Sequence, residues 1–364
     1  SSRKMLIDIY IPKDKLGGAE HGQKAIARIT DWPVKASSPF GEIIEVLGNA
    51  GEHNTEIHAV LAEFGLPNQF PEEVERAADE LDTAIKEDEI AKNRRDFRKV
   101  PTFTIDPADA KDFDDAINVE TTPSGWRVGI HIADVSHYVK PKTALDHEAH
   151  SRGNSVYLAD RVIPMLPEAL SNGICSLKQG VDRLAFSVFA DITQGGKIAS
   201  VRFAKTVIRS AARLTYKEAF AILSKKPGGD MLSERVHAAW GLSSMLRKKR
   251  FAAGSLELDF PEIKVWLDEN GRPVRLEKVE NDISHQLIEE CMLAANEAVA
   301  KEIKRLRVPS IYRVHENPEM ERLEEFRAFA AGYGVRVGDL SQRGEVQKLL
   351  LSLRGTPEEY ALKI

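Results

Sequence analysis

Apolar and polar residues alternate in short runs along the first part of the chain. The runs MLIDIYIP, QKAIARITDW, GEIIEVLG and TEIHAVLAEFG fall within residues 1–66 and are separated by glycine-containing turns such as those at Gly17 and Gly22. Alternation with a period of two, bounded by glycine, is typical of strands joined by tight turns. Residues 1–66 are therefore predicted to form a small all-β barrel.

The pattern changes to a helical period in residues 67–100. After Pro71, the stretch EEVERAADELDTAIKEDEIAKNRRDF begins with acids and ends with bases, which is the order that the helix dipole favours. This segment is predicted to be a solvated helical linker.

Residues 101–364 combine strand-like runs with amphipathic helices. Most of the strands come first, and the longest helix opens at Asn281–Asp282, where the aspartate is a suitable N-cap. This order of elements predicts an α+β domain. The predicted strands are TFTID, DDAINVE, GWRVGIHIAD, RLAFSVFADI, KIASVRFAKTVIR and KVWLDE, and the predicted helices lie near 215–224, 231–253, 282–305 and 318–333.

The composition is that of a globular protein with room for more than one core. The chain has 364 residues, of which 42% are hydrophobic and 29% are charged, and its formal net charge is −5. Nucleic-acid-binding proteins are more often basic, so the total charge weighs slightly against such a partner, although local patches matter more than the sum. Basic clusters occur at 92–99 and 247–250, and most clusters of this kind are solvated helix faces.

The cysteine content and the hydropathy of the chain predict its location. Cys175 and Cys291 are the two cysteines, so no disulfide framework is indicated and a reducing compartment fits. The sequence has no run of 18 apolar residues and does not open with the regions of a signal peptide. The protein is predicted to be cytoplasmic and monomeric, with no membrane partner.

The candidate chemistry lies in the run Asp106–Asp115, which reads DPADAKDFDD and holds five carboxylates and one lysine. Neighbouring anions repel one another more strongly as they leave water. Because apolar segments flank this run, the fold must either leave the carboxylates exposed to water or neutralise them with a cation. Hard oxygen ligands suit Mg²⁺ or Mn²⁺, and such ions position a water and neutralise charge in phosphodiester hydrolysis.

The residues alone leave other interpretations open. A solvated loop explains most isolated runs of aspartate. A structural calcium loop fits less well, because the D-x-[DN]-x-[DN]-G pattern closed by a glutamate does not occur here. His131 and Asp134, in GIHIADVSHYV, suggest a general base, but a histidine within a strand is more often structural. Both residues are left out of the predicted catalytic set.

Four segments resemble, in the expected order, the motifs of the RNB family, which comprises exoribonucleases of the ribonuclease II and ribonuclease R type. TFTIDPADAKDFDDAI has the family spacing of one aspartate, five residues, a second aspartate, one residue and a pair of aspartates. The segments GIHIADVSHYV, RGNSVYLADRVIPMLPEALSNGICSLKQGVDRLAFSV and LIEECMLAAN resemble three further blocks. The sequence of the longest segment is more similar to the ribonuclease R type than to the ribonuclease II type.

The resemblance implies a domain organisation and an activity. Residues 1–66 resemble a cold-shock domain of the OB type, 67–100 a linker, and 101–364 an α+β RNB catalytic domain. The implied activity is processive hydrolysis of single-stranded RNA from a free 3′ end, which releases 5′-mononucleotides. The implied cofactor is Mg²⁺, with Mn²⁺ as a substitute.

The resemblance also implies which carboxylates act. Asp106, Asp112, Asp114 and Asp115 occupy the motif positions that hold the metal, and Asp112 and Asp114 are in addition the predicted catalytic residues. Asp109 matches no motif carboxylate and is predicted to be solvated surface. Which aspartate contacts which ion stays open.

Three further residues are predicted to bind substrate. Tyr157 falls at the family position whose ring stacks on the base at the 3′ end, and stacking accepts every base. Tyr216 and Glu289 fall at positions associated with recognition of the ribose, whose 2′-hydroxyl separates RNA from DNA. From the residues alone, Tyr157 would more often belong to a core, and Glu289 would be an ordinary exposed helix glutamate.

The ends of the chain depart from the family pattern. Family members continue to a SPIRRY-like motif, whose arginine lies at the cleavage site, and to a C-terminal OB module. Neither occurs before Ile364, and the chain begins within the cold-shock region. We therefore expect an incomplete RNB protein that is impaired when alone. The rival interpretations are a catalytically inactive RNA-binding protein of the same fold and a DNA-directed or generic metal phosphodiesterase.

Overall fold

The computed structural model describes residues 7–256, 262–279, 281–314 and 316–363. In chain order, the strands are β1 (Gln23–Asp31), β2 (Phe40–Asn49), β3 (Arg95–Asp106), β4 (Asp115–Thr122), β5 (Gly125–Ala133), β6 (Val156–Tyr157), β7 (Val162–Ile163), β8 (Asp182–Thr193), β9 (Ile198–Thr215), β10 (Glu262–Leu267) and β11 (Pro273–Val279). The helices are α1 (His53–Glu63), α2 (Glu72–Asp79), α3 (Glu87–Asn93), α4 (Val135–Tyr138), α5 (Ala144–Arg152), α6 (Tyr216–Leu223), α7 (Met231–Ala252), α8 (Ile283–Leu306), α9 (Met320–Gly332), α10 (Arg343–Leu353) and α11 (Glu359–Lys363).

The chain divides into two compact units. The first contains the described part of Ser1–Asp82 together with Tyr138–Ser171 and Ile263–Val279. The second contains Thr83–His137 and the described parts of Asn172–Glu262 and Glu280–Ile364. Among the helices of the described ranges, none combines the length and the apolar character that crossing a bilayer requires.

The first unit contains three small antiparallel sheets, formed by β1 with β2, β6 with β7, and β10 with β11. The prediction of a strand for the run TEIHAVLAEFG is wrong, because this run lies mainly in α1. Its apolar residues Ile57, Val60, Leu61 and Phe64 follow the three- and four-residue spacing of a helix rather than strict alternation. Of the run MLIDIYIP, the first two residues lie outside the described ranges, and Tyr10 forms an isolated bridge with Phe40.

The predicted linker helix is two helices rather than one. α2 begins with an acid-rich turn, as predicted, and ends at Asp79, whereas α3 begins only at Glu87. Asp82 and Thr83 lie in the interval between them, and both residue types have low helix propensity. The division between the two compact units falls at this same point.

The second unit is built on a closed barrel with the strand order β3-β4-β5-β8-β9. Neighbouring strands are antiparallel except β3 and β9, which close the barrel in parallel. Each of these strands contains one of the predicted runs, and α6 to α9 lie at the four predicted helix positions. The α+β prediction for this part of the chain is confirmed.

The two faces of the barrel strands differ in character because successive residues point to opposite sides. On one face, Ile117 and Val119 of β4 are fully buried and join a core that includes Val236 and Leu242 of α7 and Leu287 of α8. This core fixes the helices α6, α7 and α8 against the strands, and α6 and α8 carry candidate site residues.

The opposite face of the strands carries a buried polar chain centred on His131. Nε2 of His131 lies 2.9 Å from Oδ1 of Asn118, and Nδ1 lies 2.7 Å from the Ser187 hydroxyl, which in turn lies 2.7 Å from that of Thr206. A Cβ added at Gly129 would lie 2.2 Å from Oδ1 of Asn118, so a larger residue there would displace the amide that contacts His131. One ring nitrogen donates and the other accepts, which describes a neutral imidazole.

His131 gives a prediction about the pH dependence of folding. Burial lowers its pKa from 6.5 to about 3. Between those values the unfolded chain binds a proton that the folded chain does not, so this group makes stability fall by about 1.4 kcal/mol per pH unit as the pH decreases. We expect His131→Gln to flatten the slope of the unfolding free energy between pH 6 and pH 4, measured by urea titration. An unchanged slope would contradict the assignment of a neutral buried histidine.

Candidate active site

The four motif carboxylates lie where strands β3 and β4 meet their connecting loop. Asp106 is the last residue of β3 and pairs with Thr215 of β9, and Asp115 is the first residue of β4. Asp112 and Asp114 belong to the loop between them. The barrel therefore gathers at one end the carboxylates that the sequence places within ten residues of one another.

Burial and repulsion between carboxylates raise the pKa values of Asp106, Asp114 and Asp115. Burial, followed by repulsion from Asp112 and Asp114, raises the pKa of Asp106 to about 6. Burial, followed by repulsion from Asp106 and Asp114, raises the pKa of Asp115 to about 7. The pKa of Asp114 is also raised, by burial and by Asp112. The four carboxylates thus share one electrostatic environment, in which a cation would be stabilising.

One buried oxygen of the site lacks a hydrogen bond within the described part of the chain. Neither Oδ2 of Asp106 nor Oγ1 of Thr104, two residues earlier on the same strand face, forms a hydrogen bond there, although the Thr104 hydroxyl is near enough to lower the pKa of Asp106. Such atoms are costly unless something else satisfies them. Within the described ranges, no three histidine, cysteine or acidic side chains converge on one point. Mg²⁺ is usually held by one or two carboxylates and several waters, so this set of oxygens fits it.

Hydrogen bonds from two distant segments hold the aspartate loop. The Ser176 hydroxyl accepts from the Phe113 amide at 3.0 Å and donates to the Lys111 carbonyl at 2.7 Å. The Leu177 amide donates to the Phe113 carbonyl, and the Ala133 amide donates to the Asp114 carbonyl. These bonds use the backbone of the loop and leave its carboxylates available.

Arg213 of β9 holds the other side of the loop. Its Nη2 donates to the carbonyl oxygens of Pro107 at 2.6 Å and Ala108 at 3.1 Å. Its guanidinium lies 5.3 Å from the centre of the Phe113 ring, and its charge partly offsets the raised pKa of Asp106. Arg213 is therefore suited to position the aspartate loop.

For the RNA hydrolysis predicted from the sequence, we expect Arg213→Gln to lower the turnover about tenfold, with little change in the Michaelis constant, because misplacing a catalytic group by a fraction of an ångström lowers the rate of the chemical step. The free energy of unfolding should change much less. Arg209→Gln is the matched control, since Arg209 lies on the same strand and pairs with Asp182 instead. Equal turnover of the two variants would show that Arg213 does not position the loop.

Tyr216 stands beside these carboxylates at the start of α6. Burial, and then Asp115, Asp106 and Asp282, raise the pKa of its hydroxyl to about 12, so it keeps its proton. Its ring stacks on His285 of α8, with centroids 3.8 Å apart and planes within 11°. Nδ1 of His285 lies 3.0 Å from Oδ1 of Asp282, the N-cap of α8, which orients the imidazole.

Glu289 lies one helical turn after His285, on the same side of α8. Its carboxylate accepts from Arg250 at 2.9 Å and from Arg247 at 3.3 Å. The same two arginines pair with Glu290, which is buried. The two arginines of the basic cluster at 247–250 thus hold acidic side chains of α8, and Glu289 keeps a fixed orientation.

Comparison with known proteins places this arrangement in a family. The model of the RNB domain matches residues 94–363, and that of the cold shock domain matches residues 1–71. The chain belongs to the RNB family. The prediction of the family and of an RNB domain preceded by a cold-shock region is therefore confirmed.

Relatives of this RNB chain are named ribonuclease R. Those of Aquifex aeolicus and Thermotoga maritima are each 38% identical to it, over 98% and 97% of this chain and 51% of either relative. That of Escherichia coli is 34% identical over 99% of this chain and 45% of the relative. The chain thus spans about half the length of the curated relatives it matches.

Solved structures agree with the RNB fold. The chain matches Mycoplasma genitalium RNase R in complex with ribose-methylated single-stranded RNA, with a TM-score of 0.92 and 25% identity over 98% of this chain and 57% of the other. Yeast Ssd1, described as a pseudonuclease, matches with a TM-score of 0.71 and 18% identity, over 98% of this chain and 45% of the other. The second match supports the fold alone.

Tyr157 and Asp109, two predicted residues of the RNB chain, are both exposed. Tyr157 belongs to β6 in the first compact unit, whereas the carboxylates belong to the second. Its side chain is 70% exposed, so it is not a core residue. Asp109 lies in the aspartate loop and is exposed, in agreement with the prediction that it is a solvated surface residue.

Sequence reasoning missed several residues at this end of the RNB barrel. Arg213, Ser176 and His285 all contact the site or its loop, yet none lies in the aspartate run. Asp282 was predicted only as a helix cap. The one available signal was position, because Arg213 stands three residues before Tyr216 and His285 four residues before Glu289.

Proposed function

We propose that the intact protein is a 3′-to-5′ exoribonuclease that hydrolyses single-stranded RNA to 5′-mononucleotides. The observation that carries this proposal is the cluster of Asp106, Asp112, Asp114 and Asp115 at one end of the barrel, with a buried Asp106 oxygen that has no described partner. The RNB family membership and the ribonuclease R relatives support it.

Carboxylates of this set, Asp106, Asp112, Asp114 and Asp115, would hold Mg²⁺, one or two of them directly and the others through its waters. When bound, the ion supplies neutralisation of developing charge and orientation of a water for attack. Hydrolysis forms a bond from the water oxygen to phosphorus and breaks the bond to the 3′ oxygen of the preceding nucleotide. The Arg213 contacts and the Ser176 hydroxyl bonds hold the loop backbone still, so the carboxylates keep their places during this exchange.

Tyr216 and Glu289 would recognise the ribose. The Tyr216 hydroxyl stays protonated and can donate a hydrogen bond, and its ring is held against His285. The Glu289 carboxylate, oriented by Arg250, can accept the hydrogen of a 2′-hydroxyl. A site that uses the 2′-hydroxyl in this way discriminates against DNA.

Tyr157 would stack on the base of the terminal nucleotide. The Tyr157 side chain is largely exposed, and stacking of a ring on a base is worth about 1–3 kcal/mol per base and accepts any base. A solved RNase R in complex with single-stranded RNA is consistent with such a substrate.

The test is an assay of nucleotide release by the intact protein from a uniformly labelled RNA with a single-stranded 3′ tail. We expect 5′-mononucleotides in the presence of Mg²⁺, no release after chelation, and much slower release from the matched DNA. Binding of RNA without release would instead identify an inactive RNA-binding protein of the same fold. Equal rates on RNA and DNA would indicate a generic phosphodiesterase.

A further inference from the structure

The end of the barrel remote from the aspartates carries a cleft of opposite charge. Its volume is about 340 Å³, which is within the range of small-molecule sites. Its lining includes three arginines and two phenylalanines, and we call it the arginine cleft: Arg95, Arg127, Arg202, Phe97 and Phe189.

Strand positions separate the arginine cleft from the carboxylates. Arg95 is the first residue of β3 and Asp106 the last, while Arg202 lies near the start of β9 and Thr215, the partner of Asp106, at its end. The arginine cleft is therefore a separate feature of the barrel from the candidate active site.

Most arginines near the start of β3 are already used within the fold. Arg94 is buried against Asp134, and Arg98 pairs with Asp96, Glu87 and Asp182. Arg95, in contrast, is exposed and forms no ion pair with a described carboxylate. Its guanidinium is available to an external anion.

The other two arginines are held in place across the cleft. Asp191 of β8 lies 3.0 Å from Nε of Arg127 and 3.5 Å from Nη2 of Arg202, and it also accepts from Ser200. Glu120 also lines the cleft. The three arginines together with the two acids, Asp191 and Glu120, therefore keep one net positive charge. Guanidinium groups arranged in this way suit a phosphate, with which they form paired hydrogen bonds.

An aromatic wall stands beside these charges. Phe97 and Phe189 stack with their centroids 4.7 Å apart and their planes within 28°, and His131 lies behind both rings. Phe189 is buried, whereas Phe97 keeps part of its surface exposed. A ring fixed in this way offers a flat apolar surface to a base.

We propose that the arginine cleft binds a nucleotide unit, with its phosphate on the arginines and its base against Phe97. The unit belongs either to a free mononucleotide or to a single-stranded RNA segment, since the two present the same chemistry. This site is distinct from the proposed hydrolytic one and does not depend on hydrolysis.

The experiment uses the intact protein after chelation of divalent ions, so that no probe is hydrolysed. Binding of 5′-AMP is measured by calorimetry and binding of a short single-stranded RNA by fluorescence anisotropy at several salt concentrations. The test variant is Arg95→Gln combined with Arg202→Gln, both at exposed positions. Arg209→Gln is the control, because Arg209 is an exposed arginine of β9 that does not line the cleft.

We expect the double variant to weaken binding of at least one probe about tenfold or more, while the control binds as the wild type does. For the RNA arm, the salt dependence should also fall by about 0.7 per lost phosphate contact. A loss with 5′-AMP identifies a free nucleotide as a ligand, and a loss with RNA alone identifies a strand segment. Unchanged binding of both probes in the double variant would overturn the proposal.

Discussion

Replacing Asp114 by asparagine should reduce the turnover of RNA by the intact protein by about 10³-fold or more. The substitution deletes one negative charge from the carboxylate cluster, and charge stabilisation of a phosphoryl transition state is worth several kcal/mol. The Asp114 carbonyl would still accept from the Ala133 amide, because asparagine has the same backbone. The loop should therefore keep its conformation while the chemical step fails.

Binding of RNA by Asp114→Asn should stay close to wild type, because the lost interaction acts mainly in the transition state. The measurements are single-turnover release of nucleotides with Mg²⁺ and RNA affinity without it. The matched control is Asp109→Asn, an exposed aspartate of the same loop that fits no motif position. If the control lost as much turnover as Asp114→Asn, or if Asp114→Asn kept near-normal turnover, the catalytic assignment would fail.

Replacing Asp134 by asparagine should destabilise the fold by about 3 kcal/mol or more. Asp134 and Arg94 are both almost fully buried, and Nη2 of Arg94 lies 2.8 Å from the carboxylate. Burial alone would raise the pKa of Asp134, but hydrogen bonds from Ser136 and Arg94 outweigh it and lower the pKa. The substitution would remove the buried counter-ion of the guanidinium and leave only the partly exposed Glu89, 3.4 Å from Nε of Arg94, which is costly.

The measurement is the free energy of unfolding in urea, together with turnover per folded molecule at low temperature. We expect the stability to fall and the turnover per folded molecule to persist. Glu325→Gln serves as the control, since its pair with Arg322 is exposed and should change stability by less than about 1 kcal/mol. Normal stability with lost turnover would instead make Asp134 a catalytic residue.

Local patterns predicted the strands of the barrel and the four helices α6 to α9 because each depends on a period readable within one segment. The strand predicted over α1 was wrong although the spacing of its apolar residues fits a helix, and the single linker helix was wrong because that segment is broken near Asp82. Both errors arose in short segments, where few residues define a period.

The sequence by itself offered hard oxygen ligands in the aspartate run, and four motif segments in the expected order indicated the family. Only the tertiary structure decided which groups share an environment with those aspartates. Arg213 contacts Pro107 across 106 residues of sequence, and Tyr216 stacks on His285 from a different helix. The raised pKa values of Asp106 and Asp115 likewise depend on burial. A hydrogen bond, a ring contact and the loss of water around a charge are set by distance in space, and chain order constrains that distance only for near neighbours.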